Sequence, residues 1–203
     1  SKLNKIDLSE DASEIMQISL LTNALTPSKN ISEKDFLKFR SDWLIKNSNL
    51  NLIEEYLLKN QILNQHPTLT KFWVDEYLSA GNIDKACEIF IKNTKPINDH
   101  YLSKFNIYCL INLGKQEEAQ LFFDLKKELG FKDKYFENKI SVLLGMSNES
   151  DDKISEKTVL DFHLAHKTNP NFVFSPNDNT SKIIWKYLAS SNLLSSVEKI
   201  DIS

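Results

Sequence analysis

The chain has 203 residues, a formal charge of −3 and a hydrophobic content of 41%. That apolar share is enough to bury a continuous core, while the weakly acidic balance, with a pI near 5.8, offers nucleic acid or an anionic membrane surface no positive field. No apolar run approaches the roughly 20 residues needed to span a bilayer, so no membrane insertion is expected.

Taken in order, the first predicted helix runs from Ser9 to about Ala24. Ser9 is its N-cap, Glu10 and Asp11 lie at the positive end of its dipole, and Ile15, Ile18, Leu21 and Leu25 share one face. After a loop at 26–30, Ser32 and Asp35 form a loose capping box for a second helix, with Phe36, Phe39, Trp43 and Leu44 on an apolar stripe. A turn at 47–49 leads into a helix from Leu50 to Lys59 that presents Leu50, Ile53, Tyr56 and Leu57. Pro67 is excluded from a helix interior but suits a first turn, and it opens the next helix, packed through Leu69, Phe72, Trp73, Val74 and Tyr77. Ile83, Ala86, Ile89 and Phe90 line the helix after that.

Beyond a connection at 93–99, the pair recurs, with Leu102, Phe105, Tyr108 and Cys109 on one leg and Ala119, Phe122, Phe123 and Leu129 on the other. A shortened helix is predicted at about 132–144, then a polar, acidic insertion at 147–153. A helix capped by Ser155 or nearby runs to about Lys167, followed by a crossing at 169–177 punctuated by Pro170 and Pro176, and a last helix at about 179–190. The string from Ser191 to Glu198 resembles the start of a return leg at 48–54. The four glycines, Gly81, Gly114, Gly130 and Gly145, each fall where a helix is predicted to stop.

One pattern is written twice. Leu78-Ser79-Ala80-Gly81-Asn82-Ile83-Asp84-Lys85-Ala86 returns 33 residues later as Ile111-Asn112-Leu113-Gly114-Lys115-Gln116-Glu117-Glu118-Ala119. Whole columns keep the register: Phe39, Phe72 and Phe105; Ile53, Ala86 and Ala119; Leu57, Phe90 and Phe123. Apolar columns at this period mark stacked two-helix units. The expected fold is all-α, an α-solenoid of antiparallel helix pairs. It forms a single array over 1–203, regular over about 32–129 and less regular over 130–203. The abrupt start without Met reads as a mature form or an excised piece, and ends without a dedicated polar cap predict a segment of a longer protein or ends covered by a partner. Heavy use of Asn, Lys and Ile suggests an AT-rich bacterial coding sequence.

The segment Gly81-Asn82-Ile83-Asp84-Lys85-Ala86, with Tyr77 before it and Phe90 after it, resembles the centre of a tetratricopeptide repeat, and Gly114 through Ala119 with Phe123 resembles a second. Val74 and Ile107 depart from that family's pattern, being bulky where it favours small residues. The resemblance implies that the first leg of each hairpin lines a concave groove, with Thr68, Lys71 and Asp75 in one unit and Tyr101, Lys104, Tyr108 and Asn112 in the next. Those residues read either as a peptide clamp, lysines meeting carboxylates and Tyr and Asn meeting backbone, or as a solvated helix face. The layout also resembles a group of uncharacterised alphaproteobacterial helical-repeat proteins, which tilts the expected compartment toward the periplasm without fixing it.

Candidate chemistry is sparse. His163 and His166 are three apart on one predicted helix beside Asp161, with Glu156 as a further ligand, and read as a metal pair or as surface or partly buried side chains. Cys87 and Cys109 lie on consecutive predicted antiparallel legs at similar heights; they form a disulfide in an oxidising compartment or remain two buried thiols elsewhere. No Gly-x-Ser-x-Gly elbow, phosphate-binding glycine loop or Cys-x-x-Cys pair occurs. The expectation is a non-catalytic protein-interaction or scaffold module with a protein or peptide partner, no nucleic acid and no cofactor or metal. The alternatives are a structural interior segment of a larger secreted or periplasmic protein and, remotely, a metal-dependent enzyme using His163 and His166.

Overall fold

The computed structural model describes residues 7–22, 26–27, 29–47, 49–60, 62–148 and 151–194. These residues form ten α-helices and no strand: α1 (Glu10–Leu21), α2 (Glu33–Asn47), α3 (Leu50–Asn60), α4 (Pro67–Ser79), α5 (Ile83–Ile91), α6 (His100–Asn112), α7 (Gln116–Glu128), α8 (Lys134–Leu143), α9 (Val159–Thr168) and α10 (Lys182–Ser190). None is long and apolar enough to cross a membrane. The chain falls into two compact units, one within Ser1–Trp73 and Ile91–Leu102, the other within Val74–Phe90 and Ser103–Ser203.

Short polar side chains start most of these helices. Ser9 accepts a hydrogen bond from the Ala12 amide, Ser32 from Asp35, Asn49 from Leu52, Asn82 from Lys85, Asp99 from Leu102 and Asp133 from Phe136. Each satisfies an amide that the helix itself leaves without a partner. The cap of α9 is Thr158, whose hydroxyl accepts from the Asp161 amide, three residues beyond Ser155, at or near which the sequence predicts a cap.

Four helices end in the same way. At Gly81 (φ 76°), the glycine amide donates to Leu78 and the Asn82 amide to Tyr77, which is the Schellman arrangement. The same two bonds recur at Gly114, Gly130 and Gly145. α10 closes identically with Asn192 at φ 55° in the glycine's place, asparagine being among the few residues that tolerate the left-handed region.

In the first unit, the core is built from Trp43, Leu44, Ile53, Tyr56, Leu57 and Leu69, and the Trp73 indole donates to the Leu50 carbonyl at 3.0 Å. α1 behaves differently from expectation. Ile15 and Ile18 are 66% and 60% exposed, Leu21 is half-buried and only Leu20 is buried, so much of the apolar face read from the sequence is left open to solvent; Leu25, and the predicted end of the helix at Ala24, lie outside the described residues. Phe39 and Phe72 are half-buried.

In the second unit, Ala86, Phe90, Phe105, Ala119, Phe123, Phe136, Phe162 and Leu188 are buried. Phe105 stacks on Phe90 with centroids 5.6 Å apart, and Phe123 meets Phe136 edge-on at 6.0 Å. Each fully buried ring contributes about 2–3 kcal/mol through removal of apolar area from water. α9 packs against α8 and α10. α10 also reaches the end of α4: Lys186 Nζ lies 2.6 Å from Glu76 Oε2, and the Ser190 hydroxyl donates to the Ser79 carbonyl at 2.7 Å. A strictly nearest-neighbour stack does not make contacts across more than a hundred residues of chain.

Candidate functional site

The densest polar cluster lies inside the second unit. Lys104 and Tyr108 are one turn apart on α6 and so share a face. Lys104 is buried, with its ammonium 2.7 Å from Asp161 Oδ1 and 2.9 Å from Asp133 Oδ2, and 5.2 Å above the Phe136 ring. Burial raises the proton affinity of Asp133, but the Phe136 amide and the Lys104 ammonium outweigh it and hold its carboxyl below the usual carboxylate range.

One turn along, His163 is enclosed by two tyrosines. Its Nε2 is 2.6 Å from the Tyr108 hydroxyl and its Nδ1 is 2.8 Å from that of Tyr187, which also lies 2.7 Å from His166 Nδ1. Burial, reinforced by Lys167 and His166, lowers His163 to about 3. Burial, then Lys167, lowers His166 as well. Burial likewise pushes the Tyr108 and Tyr187 hydroxyls up, in Tyr108 with help from the Asp84 carboxylate. The row of hydroxyls and imidazoles is therefore neutral at pH 7, and each neutral ring must donate at one nitrogen and accept at the other. Both ring nitrogens of His163 are committed to tyrosines, so neither is directed at a metal. Glu156 is exposed and precedes α9 instead of lying in its first turn. Among the described residues, no three His, Cys, Asp or Glu side chains converge to hold a metal ion.

The groove positions read from the sequence are divided between the units. In the first, Thr68 is exposed and the Lys71 ammonium sits 4.4 Å above the Tyr101 ring. In the second, Asp75, Lys104 and Tyr108 are buried, and the exposed Asn112 amide donates to Asp84 at 3.3 Å. Lys104 and Tyr108 thus engage α9 of their own chain. Cys87 on α5 and Cys109 on α6 form a disulfide, with Cα atoms 5.4 Å apart.

A second cluster, in the first unit, has no counterpart in the pattern of repeats. Arg40, the only arginine in the chain, is buried beneath the Phe36 ring and donates to the Tyr56 hydroxyl at 2.7 Å. Tyr56 in turn lies 2.9 Å from His66 Nε2, and His66 Nδ1 lies 3.1 Å from the Ser41 hydroxyl. Burial, then the Arg40 charge, lowers His66 to about 4. Its signal in the sequence is compositional: one arginine among 25 basic residues stands where a planar, weakly hydrated cation tolerates burial better than lysine.

Comparison of the chain with protein-family models, curated proteins and solved structures finds no match to any of them.

Proposed function

We propose that the chain is a non-catalytic helical-repeat scaffold, related in design to tetratricopeptide arrays, that presents outer helix surfaces to a protein partner. The observation that carries this reading is the pairing of Lys104 with Asp161 and of Tyr108 with His163. The side chains that would grip a peptide in an open groove already hold α9, so that part of the groove serves folding and partners are left the outer surfaces. His163 fits the same view, since both of its ring nitrogens meet tyrosine hydroxyls of the same chain.

Purification from the native source under mild conditions, followed by light scattering, tests the scaffold reading. Co-migration with a second polypeptide is expected, and recovery of a solitary chain at its natural concentration would overturn it.

A second reading, an interior segment of a larger secreted or periplasmic protein, is favoured by the Cys87–Cys109 disulfide, because such bonds persist in oxidising compartments. On that reading the co-migrating polypeptide is the rest of the same gene product.

A further inference from the structure

The three second-leg helices keep their inner columns but not their outer one. At 33-residue spacing, Glu55 and Lys59 on α3 correspond to Glu88 on α5 and Lys92 just beyond its end, yet to Leu121 and Leu125 on α7. A glutamate followed by a lysine four residues on is an ordinary solvated helix pair. Two leucines in the same places are not, and they remain uncovered: Leu121 is 72% exposed, with Leu129 two turns along at 74% and Met146 after α8 at 60%. A contiguous apolar row of this kind marks an interaction surface more often than an isolated exposed leucine does.

The charges beside the row indicate what it receives. Leu121, Leu144 and Met146 floor a shallow depression of about 580 Å³ whose edge carries Glu117 and Asp124, and no cation contributes to its lining. Asp124 is hydrogen-bonded to the neutral Gln120 at 2.7 Å, which leaves its charge uncompensated by that contact. The lysines of the same helix are turned to aromatic rings, Lys126 lying 5.3 Å from the Phe122 ring centroid and Lys127 5.2 Å from that of Phe123.

We infer that the α7 face, with the end of α8, is a docking surface for an amphipathic helix of a partner protein, a leucine-type ridge flanked by lysine or arginine. The inference rests on the scaffold reading and gives it a location and a partner chemistry. The apolar ridge covers Leu121, Leu125 and Met146, and the basic flanks meet Glu117 and Asp124. Charge here selects the partner and speeds its approach more than it adds affinity.

A displayed library of 16-residue helices, with leucine at every third and fourth position and flanking positions randomised, is selected on the intact chain. Enrichment of basic flanks is expected. Binding of the selected helices should fall at least tenfold on a Leu121→Glu, Leu125→Lys variant, which restores the residues of the preceding legs at exposed sites and keeps the native melting curve. A Glu117→Lys, Asp124→Lys variant should reverse the enriched flanks to acidic. Acidic or neutral flanks on the wild-type chain, failure to enrich any helix, or binders indifferent to both variants would each overturn the α7 assignment. Binders indifferent to the variants would leave the scaffold reading standing, whereas a solitary native chain removes that reading whatever the library yields. A wild-type dimer abolished by the leucine variant would overturn the partner assignment in favour of a second copy of the chain.

Discussion

Lys104 of α6 and Asp161 of α9 form an ion pair 2.7 Å long, both side chains more than nine-tenths buried. Two charges withdrawn from water are tolerable only together, so this contact does little for net stability while penalising any arrangement that separates the two helices.

Lys104→Met leaves Asp161 buried without its cation and should cost about 3–5 kcal/mol in urea denaturation, whereas Lys104→Met combined with Asp161→Leu should recover most of that loss. A single substitution that changed stability by less than about 0.5 kcal/mol would show that Asp161 is hydrated.

Acid should unfold the protein through its buried histidines. The folded-state values of about 4 for His66 and about 3 for His163 lie below the 6.5 of a solvated histidine, so the unfolded chain takes up these protons first. Stability is therefore whole above pH 6.5 and is lost as pH falls toward those values, by on the order of 2 kcal/mol per histidine at pH 5. Denaturant titrations between pH 7.5 and 5 measure the slope, and His66→Gln or His163→Gln should flatten it. A wild-type slope near zero over that range would mean that the histidines titrate freely.

Gly114 separates backbone strain from packing. Its φ is +74° and no atom lies within 4 Å of the place a β-carbon would take, so Gly114→Val should lower stability by about 1–2 kcal/mol through the backbone alone, with Gly114→Asn much milder. Equal melting temperatures for the valine and asparagine variants would be inconsistent with the left-handed helix end.

The Cys87–Cys109 bond closes a loop at a sequence separation of 22, and its removal by Cys87→Ala with Cys109→Ala should cost roughly 3 kcal/mol in the chain-entropy model. Thiol titration of unreduced, unfolded protein should find no reactive group. Two groups under those conditions would place both cysteines in the reduced state.

Much of the helical framework was legible because the forces that bound a helix act within about six residues. Ser9 and Ser32 as caps, Pro67 at a first turn, and glycine at four helix ends where a Schellman pair of hydrogen bonds needs positive φ are decided by local sterics and by amides seeking acceptors. The small or aliphatic column at Ile53, Ala86 and Ala119 is likewise buried throughout, since close packing acts on residue size.

Only the tertiary structure decided where the polar side chains went. Nothing periodic joins Lys104 to Asp161, Tyr108 to His163, or Arg40 to Tyr56 and His66, because a hydrogen bond between distant segments constrains two positions and leaves no repeat in the residues between them. Tyr56 is legible in the sequence as apolar bulk, and Tyr108 as that and as a groove position; folding is what brings an imidazole within 3 Å of each hydroxyl. The apolar rows of α1 and α7 show the converse, for amphipathic spacing records which face is apolar but not whether another element arrives to cover it.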